Sequence, residues 1–541
     1  MNPDTYDFIV VGAGPSGCSV ASRLANTRSR PSVLLLESGG TNADPKFRLA
    51  RERFMLWATH GLAIDYGYKT TPQAALNGRE LAYHRGKGLG GSSATNLGVW
   101  DYGSKPEYDE WARLVGDDEW RWENVVARMK KIENFHDYTP TEMKKYAQPN
   151  PGTHGTEGPV DATLSAEWDP TLPLILDAVK AYGLPLNPDI SGDQCIGFGV
   201  PAGTVNGGLR VTAASAYLTD KQSNLDVVTD SPVTRVLFDG LRAVGVEISG
   251  AKKYYSSKET IICAGSIDTP KLFLLSGVGP AEELSNLGIS AVLDQPAIGT
   301  NLRDHPMIRL AASVKDGVIL PSQPLATDTD IVSTCSGYCK LNTTGYAELA
   351  TADAATQKHL SNPLAPAYEL VTRITPKPSR DGFLWNASVV MMNSMSTGRI
   401  FLQSSDPNTP PAIDLNLLSH PYDVHATMDA VRSTAQLLQN STIPTAGLAV
   451  GPKSLEDKDV LEFIKSNLGH LWHAAGTMKM GLASERDTCV APDFRVLGLD
   501  GVRVADMSVA PIIPSNHTQS TAYLIGETAA SKIIAEYKLD E

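Results

Sequence analysis

Tyr6-Asp7-Phe8-Ile9-Val10-Val11-Gly12-Ala13-Gly14-Pro15-Ser16-Gly17 stands near the start of this 541-residue sequence, and its reading decides the fold class. Residues 6 to 11 read as a short buried strand. A G-x-G-x-x-G turn follows at once, and Cys18 to Leu24 reads as a helix. Pro31 to Leu36 is a second apolar run that ends at Glu37, twenty residues after Gly17. A strand, a glycine turn, a helix and a strand with an acid at its tip form a dinucleotide-binding βαβ unit. Gly12 permits the tight turn, Gly14 lets the backbone approach a pyrophosphate, and Gly17 lets helix and strand pack closely. The helix N-terminus offers free N–H groups to phosphate oxygens, and Glu37 can accept from a ribose hydroxyl. The glycines alone would also suit a tight turn in an unrelated α/β protein. The acid at the right distance makes the pattern specific.

Outward from this unit, 541 residues exceed one compact core, so two domains with interleaved segments are expected. With 42% hydrophobic and 20% charged residues the composition is ordinary for a globular chain. A net charge of −13 argues against a nucleic-acid surface and gives no reason to expect binding to anionic membranes. Solubility is its simpler meaning. No apolar run approaches the length of a membrane span. The first strand begins within six residues of Met1, so no signal peptide is expected. The expected compartment is the cytoplasm, or the exterior if a leader has been cleaved. Six cysteines do not make a disulfide framework, and no Cys or His cluster suggests a metal. Asn342, Asn386, Asn440 and Asn516 head Asn-x-Ser/Thr sequons, which often arise by chance.

Glu107 to Asn134 reads as helical, with Trp111, Trp120, Trp122 and Met129 as apolar contacts. Leu225 to Ile248 alternates around Asp239-Gly240 and reads as a hairpin. Asp423 to Leu438 and Ser520 to Tyr537 read as helices, the latter with one small or apolar side.

Three further stretches narrow the reading: Arg85-Gly-Lys-Gly-Leu-Gly-Gly-Ser-Ser-Ala-Thr-Asn96, Gly265-Ser-Ile-Asp-Thr-Pro-Lys-Leu-Phe-Leu-Leu-Ser-Gly-Val-Gly279, and His473-Ala-Ala-Gly-Thr477 with Asn516-His-Thr-Gln519. With the N-terminal fingerprint they closely resemble the glucose–methanol–choline (GMC) family of flavin oxidoreductases, over essentially the whole chain. Asn301-Leu-Arg-Asp-His-Pro306 and Gly501-Val-Arg-Val-Ala-Asp506 also fall where that family has counterparts. The resemblance implies an α/β fold in which a Rossmann-like FAD-binding domain is interleaved with an α+β substrate-binding cap. The implied FAD domain takes residues 1–100, 195–310 and 465–541, and the cap takes 101–194 and 311–464. FAD contacts are implied for Gly12, Gly14, Pro15, Ser16, Gly17, Glu37, Arg85, Gly91, Ser92, Asn96, Val233, Asp506, Thr518 and Gln519. Some relatives attach FAD through a histidine in the glycine-rich segment. Thr95 stands at that position here, so the implied FAD is non-covalent.

Alcohol oxidation needs a proton removed from oxygen and a hydride from carbon. Flavin N5 can take the hydride, and an imidazole near neutrality suits the proton. Of eleven histidines, His473 and His517 lie in the family-matching motifs. The resemblance places both at the flavin's reacting face. His473 is assigned as principal base and His517 as its hydrogen-bonding partner, with the reverse assignment left open. The N-terminus of a helix starting near Thr518 would stabilise negative charge on a reduced flavin. The expected partners are a small-molecule alcohol and oxygen or another electron acceptor. Trp100 and Tyr102, or Trp385, Met391, Met392 and Met395, could line the pocket or simply pack in the core. They lean the substrate toward an aromatic or apolar alcohol. The alternatives are a non-redox GMC-fold enzyme, of hydroxynitrile lyase or polyketide cyclase type, and a flavin-binding protein without catalysis.

Overall fold

The computed structural model describes residues 4–541 apart from 51–52, 54–60, 193, 322–333, 344 and 380. In chain order the strands of its two large sheets are β1 (Thr5–Val11), β2 (Val33–Leu36), β3 (Leu225–Val228), β4 (Val233–Asp239), β5 (Arg242–Ile248), β6 (Lys253–Ile262), β7 (Pro306–Val314), β8 (Cys335–Cys339), β9 (Tyr368–Pro376), β10 (Phe383–Met391), β11 (Thr445–Val450), β12 (Gly469–His470) and β13 (Val502–Val504). The helices that matter here are α1 (Pro15–Ala25), α2 (Lys105–Val115), α3 (Trp122–Ile132), α4 (Gly265–Leu275), α5 (Pro421–Asn440) and α6 (Gln519–Glu536).

The first sheet has seven strands in the order β3-β2-β1-β6-β5-β4, with β13 beside β6. β1 runs parallel to β2 and β6, β2 to β3, and β6 to β13, while β4 and β5 form an antiparallel hairpin. Parallel strands covered on both faces need continuous apolar runs, which Phe8–Val11 and Val33–Leu36 provide. The expected hairpin around Asp239-Gly240 is present but begins only at Val233. Leu225–Val228 instead joins the far edge beside β2, because Ser231-Pro232 separates it from the hairpin.

The second sheet has six strands, β8-β9-β10-β7-β11 with β12 beside β7. The pairings are antiparallel, and α5 packs on β7 and β10. Pro306–Val314 and Gly469–His470 both belong to this sheet. The expected segment limits at 310 and 465 therefore fall within or before strands of the cap sheet.

The helix expected over 107–134 is two helices. Gly116, at φ +67, ends α2, and a turn carrying Trp120 leads into α3. The break lets the Trp111 and Trp120 rings stack at 4.3 Å. α6 is buried over nearly its whole first three turns, not on one side, because α1 and α3 pack against it.

Candidate active site

The glycine turn does what its residue types require. A Cβ on Gly12, at φ +99, would lie 2.5 Å from the Cys263 carbonyl oxygen, and one on Gly17 would lie 1.9 Å from that of Gly12. A Cβ on Gly14 would meet nothing within 4 Å, because Gly14 faces an open cleft. A Cβ on Gly91 would lie 2.8 Å from Gly14 Cα, so the two glycine loops touch. The cleft has a volume of about 510 Å³. Gly12, Gly14, Pro15, Ser16, Glu37, Arg85, Gly91, Ser92, Asn96, Val233, Asp506, Thr518 and Gln519 line it, with both His473 and His517. Gly17 lies behind the turn and packs it.

Glu37 is buried at the tip of β2. Its Oε1 accepts from the N–H groups of Gly39 (2.9 Å) and Gly88 (3.0 Å), and its Oε2 accepts from Ala13 N–H (2.9 Å). The carboxylate thus ties the first glycine turn to the second glycine loop. Oε2, with one donor, keeps acceptor capacity toward the cleft. Asp506 is likewise buried. It accepts from Gly265 N–H (2.8 Å), Thr269 Oγ1 (2.6 Å) and Ser508 N–H (2.8 Å), so it fixes the start of α4 against β13. Asn96 donates to Gln519 Oε1 (2.9 Å), and Gln519 donates to the Val99 carbonyl (2.6 Å). This joins the glycine-rich segment to the start of α6.

Two histidines from distant segments meet at the far end of the cleft. The His473 and His517 rings lie edge to face, 5.4 Å between centroids. Their environments are opposite. Burial, and then the neighbouring His305 and His517, hold the His473 imidazole well below its ordinary range. Burial also works against charge on His517. Glu369, 3.2 Å from its Nε2, and Asp101 overcome that and push it up to about 9. Asp101 Oδ1 also accepts from the backbone N–H of His517 (3.0 Å).

His305 is a member that residue reading did not assign. Its Nδ1 lies 2.9 Å from Nδ1 of His473, and burial pushes its own pKa down to about 4. One of these two Nδ1 atoms must carry the shared proton. With that proton on His473, its Nε2 keeps the lone pair that a base requires. The adjacent Asp304 accepts from the backbone N–H of His473 (2.9 Å). The Asn301–Pro306 stretch was a visible motif, but only the folded chain brings it to His473. Glu369 and Asp101 carried no sequence signal of this kind.

Trp100 and Tyr102 are fully buried and hydrogen-bond Glu133, so they pack in the core. Trp385 is equally buried and donates to Thr372 Oγ1 (2.7 Å). The apolar walls near the histidines come from Leu97, Val99, Leu471 and Trp472 instead. Among the described residues, no group of three or more His, Cys, Asp or Glu is placed to hold a metal. No described helix is long and apolar enough to cross a membrane.

A family model described as GMC oxidoreductase matches residues 6–307, and a second with the same description matches residues 394–526. The chain belongs to the GMC oxidoreductase family. It is 30% identical over 545 residues to oxygen-dependent choline dehydrogenase 1 of Chromohalobacter salexigens, covering 98% of this chain and 94% of that protein. It is 30% identical over 573 residues to pyranose dehydrogenase 3 of Leucoagaricus meleagris, covering 98% and 93%. A formate oxidase structure from Aspergillus oryzae aligns with a TM-score of 0.84 at 26% identity over 99% of each chain. A fungal aryl-alcohol oxidase shares the fold, with a TM-score of 0.85 at 23% identity over 99% of this chain and 100% of that one. This GMC oxidoreductase is therefore an FAD-dependent enzyme, and its cleft fits that cofactor. Gly14 leaves the space a pyrophosphate needs, the N-termini of α1 and α6 both face the cleft, and the cleft runs from Glu37 and Val233 to the histidines.

Proposed function

We propose that this enzyme oxidises a primary or secondary alcohol with an apolar or aromatic body, with His473 as base and His517 as its partner. FAD, when bound, supplies the hydride acceptor. The chain itself manages the proton. Neutral His473 takes it from the alcohol oxygen, which makes the carbinol carbon a better hydride donor. His517, held protonated by Glu369 and Asp101, donates to that oxygen and balances its growing negative charge. One observation carries this reading: two imidazoles share one site, and their environments push them in opposite directions. Such a division suits proton removal from an alcohol better than the lyase or cyclase alternatives.

Thr95, buried on the cleft wall, offers no imidazole for a flavin bond, which speaks for non-covalent FAD. Mild denaturation should release the flavin into the supernatant, and flavin retained on the precipitated protein would count against this. The electron acceptor is oxygen or another small oxidant. All six cysteines are buried and free, which suits a reducing compartment and the cytoplasm.

The test is stopped-flow flavin reduction without oxygen. His473→Ala should keep FAD and slow reduction by about 10²–10⁴-fold, the scale for losing a positioned base. His517→Ala should cost less. A slower His517→Ala enzyme at equal FAD occupancy would reverse the two roles. An alcohol that is turned over without bleaching the flavin would favour the non-redox reading.

A further inference from the structure

The hairpin Val205-Asn-Gly-Gly-Leu-Arg210 inverts the usual rule of burial. Val205–Asn206 pairs antiparallel with Leu209–Arg210, and Gly207 and Gly208, at φ +59 and +77, make the turn between them. Side chains alternate along such a strand. Here the leucine faces water at 37% exposure, and the arginine is turned inward at 2%. A buried cation is costly unless its bonds offset the loss of water, so the bonds of Arg210 show what holds it there.

Among the described residues only one of its three guanidinium nitrogens is engaged. That Nη1 donates to Asn96 Oδ1 (2.8 Å) and to the Ser93 carbonyl (3.3 Å), both in the glycine-rich segment. Burial, and then the charge of Arg53, bring the Arg210 pKa down to about 9, which leaves it a cation at neutral pH.

Hydrogen-bond direction then fixes a chain of amides. A guanidinium only donates, so the Asn96 oxygen faces Arg210. Asn96 Nδ2 donates to Gln519 Oε1 (2.9 Å), and Gln519 Nε2 donates to the Val99 carbonyl (2.6 Å). A carbonyl only accepts, so the far end of the chain imposes the same direction as the near end. Turning both amides over would set donor against donor at Arg210 and acceptor against acceptor at Val99. Asn96 and Gln519 line the cleft, and Gln519 stands two residues after His517. With its oxygen committed to Arg210, Asn96 has the second hydrogen of its Nδ2 left for the cleft.

We propose that Arg210 is a positioning residue for the flavin: acting through Asn96, it holds a polarised N–H donor toward the isoalloxazine and so favours electron-rich states of the ring. The ring offers acceptors at N1, O2, O4 and N5 against one donor at N3, and reduction adds negative charge to it. An N–H on an amide whose oxygen is bound to a cation is a stronger donor, because hydrogen bonds in a chain polarise one another. A donor already in place costs no reorganisation when the charge arrives. This role lies with the cofactor and is independent of which substrate reduces it.

Sulfite is the probe, because its sulfur lone pair forms a bond to flavin N5 and leaves the ring anionic without any alcohol. FAD-loaded wild type and variants are titrated with sulfite, read by bleaching of the oxidised flavin, and their midpoint potentials are measured against reference dyes. Arg210→Met should weaken sulfite binding by about ten- to hundredfold, as for loss of a charge-assisted contact, and lower the potential. Arg210→Lys keeps a cation that only donates, and should stay close to wild type on both readouts. Asn96→Leu removes the donor without adding charge and should weaken sulfite binding to a similar degree. In the double variant the two losses should not add, because both break one chain. If Arg210→Lys weakens sulfite binding as much as Arg210→Met does, the side chain only fills space and the proposal fails. If Asn96→Leu binds sulfite like wild type, or if the two losses add in full, Arg210 does not act through Asn96. Should Arg210→Met fail to fold, Asn96→Leu and Arg210→Lys still decide between these outcomes.

Discussion

His517 draws its charge from one carboxylate more than from any other group, and that makes Glu369 the sharpest residue-scale probe. Glu369→Gln removes the larger counter-charge while keeping the shape, and burial is then opposed by Asp101 alone. Flavin reduction in the wild type should change as pH rises through about 9, where His517 loses its proton. In Glu369→Gln that limb should move down by more than one pH unit. A limb that stays in place would assign it to another group. With His473 as the proposed base, the acid limb should lie well below 6.5. Glu37 poses a different residue-scale question, because it ties the two glycine loops together and also lines the cleft. Glu37→Ala removes the acceptor for three backbone N–H groups as well as the proposed ribose acceptor. Loss of a charge-assisted bond is worth about 1.5–3 kcal/mol, so FAD affinity should fall roughly ten- to hundredfold. The apoprotein should also melt lower, because those N–H groups are left buried and unpaired. FAD affinity unchanged in a titration of apoprotein would detach Glu37 from the cofactor.

At the scale of elements, the site depends on α6 lying close against α1. His517 and Thr518 precede α6, and Ser16 lies in the first turn of α1, so any shift between the helices moves two parts of the cleft wall against each other. Gly526 permits the close approach: a Cβ there would lie 2.6 Å from the Ser16 carbonyl oxygen and 2.8 Å from its Cα. Ala in place of Gly favours a helix by about 1 kcal/mol. Forcing two buried helices apart typically costs about 1–3 kcal/mol, and here the obstacle is backbone, which has no rotamer to yield. Gly526→Ala should therefore lower Tm and weaken FAD retention together. A variant that melts higher than wild type would show that the helices can separate without cost.

For the whole molecule, FAD is a tie between segments far apart in the chain, since the cleft is lined from Val11 to Ala522. A ligand that binds only the folded state stabilises it by mass action, about 2.7 kcal/mol at a hundredfold excess over Kd. Removing FAD should lower the apparent Tm, and re-adding it should restore Tm in a concentration-dependent way. A Tm indifferent to FAD would mean that the cleft does not hold the segments together. In the apoprotein, stability should also respond to His517. Its folded-state pKa of about 9 exceeds the ordinary histidine value of about 6.5, so its contribution is full below about 6.5 and is lost as pH rises through about 9.

The sequence by itself determined the family, the cofactor cleft and the pair of histidines, because each of these is written in local spacing. Gly12, Gly14 and Gly17 answer to turn geometry within a few residues, and Glu37 stands at a set distance from them. Tertiary structure decided what surrounds the histidines. Glu369 lies on β9, Asp101 follows the glycine-rich segment and His305 sits in the loop before β7, and their meeting with His473 and His517 depends on strand register and domain packing, to which no local pattern points. The same limit explains the aromatic residues. Trp100, Tyr102 and Trp385 have the composition of a pocket wall, yet they lie in the core, since a side chain's face is set by what its strand pairs with. It also disposes of two sequons. Asn516 is fully buried, and the half-buried Asn386 amide donates to Thr375 Oγ1 (2.9 Å) and to the Leu384 carbonyl (3.1 Å), so neither side chain stands free on the surface. Local geometry records the glycine turns that line the cleft, and long-range packing sets the opposite surroundings of the two histidines.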